Sequence, residues 1–131
     1  LHRRARNKAE ADDKAREVYG IVREANQAAV EAIRPGVTFR EIDRAARAQI
    51  EAAGYGKFFT HRTGHNIGLD GHEFPDVSAA NEMPVEPGMV FSIEPGIYLP
   101  GRFGIRLEEI VVLRADGPEI LSDLPRTLVT A

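Results

Sequence analysis

The sequence predicts an α+β fold in which two helices pack on one face of a mainly antiparallel sheet. Apolar residues recur at helical spacing up to about residue 53, and after Gly54 the pattern changes to short apolar runs broken by glycine and proline. The chain has 131 residues and 43% hydrophobic content, which is typical of one globular domain with its own core. We therefore expect a single domain over residues 1–131, with its helices before its strands.

The first predicted helix covers residues 8–33. Its apolar positions recur at steps of three and four residues, with charges between them, at Ala15, Val18, Val22, Ala25, Ala29 and Ile33. Pro35 and Gly36 end this helix. The first eight residues have no apolar pattern, and we expect them to be disordered.

A second helix is predicted over residues 39–53. Thr38 and Glu41 have the spacing of a capping box, in which each side chain bonds the other residue's backbone N–H. Gly54 stands where a left-handed cap is expected, because glycine adopts a positive φ without strain.

The remainder of the chain is predicted to form strands at residues 58–60, 89–94, 105–113 and 119–121. These runs are rich in aromatic and β-branched residues and are bounded by glycine, proline or aspartate. Residues 115–117, Ala-Asp-Gly, predict a turn between the last two strands.

Composition excludes several classes of function. With 17 basic and 20 acidic residues in mixture, the chain has no basic footprint for nucleic acid. Cysteine is absent, so any metal must be held by nitrogen and oxygen ligands. No apolar run approaches the roughly 20 residues that span a bilayer, and no signal peptide is recognisable. We expect a cytoplasmic protein that does not contact membranes.

Five side chains in the second half point to a metallohydrolase site. His61, His65 and His72 fall within twelve residues, and Glu94 and Glu108 follow them. Imidazole and carboxylate groups bind divalent metals and transfer protons near neutral pH. A single histidine is more often a satisfied structural residue, but this grouping favours a site.

The setting of each carboxylate leaves a structural alternative open. Glu94 follows the apolar run 89–93 and precedes Pro95, so we expect it to be shielded from water, where an unpaired carboxylate costs several kcal/mol. The alternative is a glutamate that caps a turn. Strand alternation places Arg106 and Glu108 on one face, and the alternative there is an exposed ion pair.

Three motifs carry a family resemblance. HRTGHNIGLDGHE, EPGMVFSIEPGIY and GIRLEEIVV occur in this order between about residues 55 and 112. Together they resemble the C-terminal half of the pita-bread metallopeptidases, peptidase family M24, in the prolidase and Xaa-Pro aminopeptidase branch. The G-x-R-x-E setting of Glu108 favours this branch over the methionine aminopeptidases. The fold expected from the resemblance is half of the pita-bread fold of creatinase and the aminopeptidases.

The resemblance implies hydrolysis of the Xaa-Pro bond of proline-containing peptides. It implies that His65, Glu94 and Glu108 bind a pair of divalent ions, manganese, cobalt or zinc, and that Glu94 also acts as general base. His61 and His72 match histidines that contact substrate and support the tetrahedral intermediate, and Arg106 matches the family's arginine.

The sequence departs from the family's pattern in one respect. The family supplies two further aspartate ligands, one in a D-x-G segment and one about eleven residues later. This sequence contains no such segment, and we interpret Asp12, Asp13, Asp43 and Asp70 as structural. With three of the five ligands present, we expect doubtful metal occupancy and no activity from the chain alone. We expect an N-terminal half to supply the aspartates. The alternative is a non-catalytic module that binds a partner or assembles as a homo-oligomer.

Overall fold

A computed structural model describes the backbone of residues 8–128 and the side chains from Asp13 to Leu128. Helix α1 covers Lys8–Ala32 and helix α2 covers Phe39–Ala52, which confirms both predicted helices to within one residue. Residues 1–7 lie outside the described range, so the expectation of disorder there stays a prediction, whereas Lys8 already belongs to α1. No helix in the described range is both long and apolar enough to cross a membrane.

The start of α2 is fixed by the predicted capping box. The backbone N–H of Glu41 donates to Thr38 Oγ1 at 3.1 Å, and the backbone N–H of Thr38 donates to Glu41 Oε2 at 2.7 Å. Gly54 has φ +88°, as its predicted place after the helix requires.

Replacing Thr38 with alanine is expected to lower the free energy of unfolding by about 1 kcal/mol, measured by urea denaturation. The Thr38 backbone N–H, and then its hydroxyl, lower the pKa of Glu41. Because the pKa of Glu41 is lower in the folded chain than in the unfolded chain, its bonds to Thr38 stabilise the fold at a pH above the unfolded-state pKa. This stabilisation is lost as the pH falls through the folded-state pKa. Thr60→Ala, at an exposed threonine, is the control. Equal losses from the two variants would contradict the assignment.

Up to residue 128, seven strands follow the helices: β1 Gly64–Asn66, β2 Glu73–Val77, β3 Val90–Ile93, β4 Gly96–Leu99, β5 Phe103–Arg106, β6 Glu109–Arg114 and β7 Gly117–Ile120. Five of them form one antiparallel sheet in the order β2-β1-β3-β6-β7, and β4 pairs with β5 in a second sheet. The predicted turn after β6 is present, because Arg114 pairs with Gly117.

The predicted strands needed several corrections. The strand predicted at 58–60 is wrong: Gly56–Phe58 is a short 3₁₀ helix, and the N–H of Phe59 donates to Gly56 O. The predicted strand 105–113 is divided into β5 and β6, and those at 89–94 and 119–121 shift to the bounds of β3 and β7. Strands β1, β2 and β4 were not predicted. Strand β1, GHN, has no apolar residue, and β2, EFPDV, contains two carboxylates and a proline. Strand β4, GIYL, is apolar but has only four residues, too few to show a strand alternation.

A single register runs through both sheets. The pairs run from Val90↔Val112 to Ile93↔Glu109 in the large sheet and from Gly96↔Arg106 to Leu99↔Phe103 in the small one. Between them the N–H of Leu107 donates to Pro95 O at 3.3 Å, so the register continues across the break. Glu94 therefore lies opposite Glu108.

The core lies between the two helices and one face of the sheet. Phe91 and Val111 face the helices with Val22 and Ile42, all fully buried, and Phe39 meets Phe91 edge to face at 5.4 Å. The predicted layout of two helices on a mainly antiparallel sheet is thus confirmed. Because strand residues alternate between faces, Glu94 and Glu108 project from the face away from the helices.

Candidate functional site

His65 is held in the middle of β1 by close contact with β3. A Cβ atom added at Gly64 would lie 1.8 Å from Ser92 O, so only glycine allows the two strands to approach in this way. The backbone N–H of His65 donates to Ser92 Oγ at 3.1 Å. The strand contact therefore fixes the backbone that carries the imidazole.

The ring of His65 faces Glu94. His65 Nδ1 lies 3.0 Å from the Asn66 carbonyl oxygen, an acceptor, so Nδ1 carries a proton in this bond. In the neutral ring the lone pair then lies on Nε2. Nε2 is 3.4 Å from Glu94 Oε2, and both side chains are largely buried. A neutral imidazole nitrogen and a carboxylate oxygen are both acceptors, so this approach becomes favourable when a proton or a metal cation lies between them.

Glu94 lies where the sequence predicted it, at the end of β3 and 14% exposed. Its backbone N–H donates to Thr63 O at 2.6 Å. Arg106 Nη1 is 4.0 Å from Glu94 Oε1, and the Arg106 side chain is 50% exposed. The Arg106 guanidinium is therefore near the Glu94 carboxylate but does not bury it.

The Glu108 side chain is exposed, and the Glu108 backbone lies opposite that of Glu94. Opposite residues of a non-hydrogen-bonded antiparallel pair have Cα atoms about 4.5 Å apart, and like charges there repel. Within the described residues, no three His, Asp or Glu side chains lie close enough together to hold a metal ion. The structure thus brings His65 and Glu94 together, while the Glu108 carboxylate lies apart from them.

His61 is engaged with Tyr98. His61 Nδ1 lies 2.6 Å from the Arg62 carbonyl and so carries the proton, which leaves Nε2 to accept from the Tyr98 hydroxyl at 2.7 Å. Burial raises the pKa of Tyr98, and Arg106 partly opposes this, so the phenol keeps its proton and donates it in this bond. Gly104 provides the space for the tyrosine ring, since a Cβ there would lie 2.6 Å from Tyr98 Cδ1.

His72 is exposed and lies over His65. The two ring centroids are 4.2 Å apart with an interplanar angle of 34°. The sequence placed His61, His65 and His72 in one cluster. In the structure His72 contacts the His65 ring, while His61 turns to Tyr98 and Phe59.

Sequence reasoning missed the pair that holds the histidine segment. Asp43 on α2 is 1% exposed and pairs with Arg47 through two bonds, at 3.0 Å and 3.1 Å. Thr63 Oγ1 donates to Asp43 at 2.7 Å, and Arg47 donates to the carbonyls of Phe59 and His61. The i, i+4 spacing of Asp43 and Arg47 was the available signal. Tyr98 was also missed, although it ends the second motif.

Comparison with known proteins decides the family. Residues 5–115 match the family described as metallopeptidase family M24. The chain belongs to this family. It is 52% identical over 108 residues to the Xaa-Pro dipeptidase of Lactobacillus delbrueckii subsp. lactis, which covers 82% of this M24 chain and 29% of that protein.

Two solved structures show where this M24 chain falls in the fold. The X-Pro aminopeptidase of Thermotoga maritima superposes with a TM-score of 0.85 at 50% identity, over 88% of this chain and 33% of that one. The prolidase of Thermococcus sibiricus gives 0.89 at 43% identity, over 91% and 32%. The chain thus corresponds to the C-terminal part of the pita-bread fold in the prolidase branch, and it spans about a third of the length of these relatives.

Proposed function

We propose that this chain contributes His65, Glu94 and Glu108 to a two-ion centre that hydrolyses Xaa-Pro peptide bonds. The observation that carries the proposal is the approach of His65 Nε2, the nitrogen turned away from the Asn66 carbonyl, to Glu94 Oε2 at 3.4 Å. Glu108 lies opposite Glu94 in the strand register, so a cation at this position would relieve the repulsion between the two carboxylates.

The donor set fits a divalent transition metal. One imidazole and two carboxylates suit manganese, cobalt or zinc, and the Asn66 carbonyl fixes the tautomer that leaves His65 Nε2 available. Membership of the M24 metallopeptidases supports the use of a divalent ion. Burial of His65 and Glu94 favours binding further, because a buried carboxylate needs a compensating positive charge.

Each side chain has a task that its surroundings suit. Divalent ions held by His65, Glu94 and Glu108 would activate water as the nucleophile and stabilise the oxyanion. Glu94 accepts the proton of the attacking water, and Arg106 helps to balance the carboxylate charge. His61 and His72 contact the peptide substrate and stabilise its tetrahedral intermediate, with Tyr98 orienting the His61 ring.

The relatives support our inference of the substrate and of an N-terminal half. Proteins named Xaa-Pro dipeptidase and prolidase match this chain over about a third of their own length, and we infer the same proline-containing substrates for the complete enzyme. Three of five expected ligands lie in this sequence. We propose that an N-terminal half contributes the two aspartates, and that the chain alone is inactive.

A non-catalytic role is the second candidate. Leu69 and Phe74, on either side of His72, are fully and 75% exposed. Exposed apolar side chains of this size favour association with a partner or with a second copy of the chain. Self-association without metal binding would support this role.

Manganese titration of the purified chain tests the proposal. Binding that calorimetry detects in the chain, that is lost in His65→Ala and Glu108→Ala and that is retained in the control Glu86→Ala, at an exposed glutamate, would support the proposal. Light scattering on the same samples reports the oligomeric state. If the chain binds no manganese but forms oligomers that the ligand variants leave intact, the non-catalytic role is favoured.

A further inference from the structure

One amide interrupts the buried face of α1. Asn26 is 1% exposed and lies one turn after the fully buried Val22. Its side-chain Nδ2 donates to the carbonyl of Ile93 at 3.4 Å and to that of Leu107 at 3.3 Å. The opposite orientation of the amide would set Oδ1 against two carbonyl oxygens, so the bonding network fixes the amino group on this side.

The two carbonyls that Asn26 binds belong to the residues immediately before Glu94 and Glu108. At this break the strands retain the bond from the Leu107 N–H to Pro95 O. In a hydrogen-bonded antiparallel pair the partner residue returns a second bond, but proline has no N–H to give. Leu107 O therefore lacks its usual strand donor, and the Asn26 amide supplies one.

This arrangement leaves Asn26 itself incompletely satisfied. Its Oδ1 is buried and has no hydrogen-bond partner among the described residues. An unpaired buried acceptor is unfavourable, and an apolar side chain would continue the stripe of Val18, Val22 and Ala29 without that cost. The amide is thus explained by its two bonds and not by packing.

We propose that Asn26 is a positioning residue that replaces the N–H missing at Pro95 and keeps Glu94 and Glu108 opposite each other. The inference rests on the proposed function in that it treats these carboxylates as metal ligands. Asn26 touches neither carboxylate. It acts through the backbone of Ile93 and Leu107, which links α1 to the strand break.

Nuclear Overhauser effects in the labelled full chain test this geometry without metal. Opposite residues of a non-hydrogen-bonded pair have close Hα atoms, so Glu94–Glu108, Ser92–Ile110 and Tyr98–Gly104 should each give an Hα–Hα cross-peak. In Asn26→Ala and in the isosteric Asn26→Asp, we expect the Glu94–Glu108 peak to be lost and the other two to remain. Val22→Ala, which opens space on the same helix face, is the control and should keep all three.

Restoring the missing donor provides a rescue. In the double variant Asn26→Ala, Pro95→Ala, residue 95 regains an N–H that can reach Leu107 O, and the Glu94–Glu108 peak should return. The proposal is overturned if the peak persists in both single Asn26 variants, if all three peaks disappear together, or if the double variant fails to recover it.

Manganese affinity gives a second, separable result. We expect Asn26→Ala to weaken binding by about 10- to 100-fold, as outer residues that orient metal ligands commonly do, and the double variant to recover it. Absence of manganese binding in the unmodified chain would count against the proposed function alone. The cross-peaks would still decide whether Asn26 holds the two strand ends.

Discussion

Glu94→Gln is expected to reduce Xaa-Pro hydrolysis by at least about 100-fold in a chimera that carries this chain within a complete enzyme. In this chimera the chain replaces the matching segment of the Lactobacillus delbrueckii Xaa-Pro dipeptidase, to which it is 52% identical. The remainder of that dipeptidase takes the place of the proposed N-terminal half. Glutamine keeps the size of the side chain but removes both the negative charge and the proton acceptor.

The measurement is the initial rate of Xaa-Pro dipeptide cleavage with added manganese, with Glu86→Gln in the same chimera as the control. Glu86 is exposed and lies outside the proposed site, so its replacement should leave the rate unchanged. A folded chimera that hydrolyses the dipeptide equally well with glutamine at position 94 would exclude Glu94 as general base. A folded but inert chimera would favour the non-catalytic role.

Breaking the Asp43–Arg47 pair is expected to lower the free energy of unfolding by about 3–5 kcal/mol, because Arg47→Met leaves a carboxylate buried without its cation. Asp43 is 1% exposed and Arg47 is 21% exposed. The lost guanidinium also bonds the Phe59 and His61 carbonyls and lies 4.0 Å from the Phe59 ring centroid. Urea denaturation followed by circular dichroism measures the loss.

Arg114→Met provides the matched comparison for this pair. Arg114 bonds Glu119 at 2.7 Å, but both side chains are more than half exposed, so its loss should cost less than about 1 kcal/mol. In the double variant Asp43→Asn, Arg47→Met, the loss should be smaller than the sum of the two single losses, because the buried charge is removed with its partner. Additive losses would show that the two residues act independently.

Local sequence patterns predicted the helices well because their information lies within a few residues. The apolar spacing of α1 and the Thr38 and Glu41 capping box are interactions between near neighbours in the chain. The strands were harder to predict. Gly64–Asn66 becomes β1 because it pairs with both β2 and β3, and its own three residues carry no strand pattern.

The candidate site could be predicted only in part from local sequence patterns. The motifs pointed to His65, Glu94 and Glu108. The prediction that Glu94 lies at a strand end, shielded from water, agrees with its position in the structure. The residues that contact them could not be predicted from the sequence. Asn26 lies in the apolar stripe of α1. The positioning role that we propose for it depends on Pro95, which is distant in sequence and has no backbone N–H.

The two helices, the family motifs and the residue types available for metal binding could all be predicted from the sequence, because they follow from short-range spacing and side-chain chemistry. The common register of β3 with β6 and of β4 with β5, which sets Glu94 opposite Glu108, is visible only in the folded chain. The tertiary structure also decided that Tyr98 engages His61 and that Asp43 and Arg47 hold the histidine segment. These contacts join residues far apart in the chain, and they form only when the strands pair and the helices pack against the sheet.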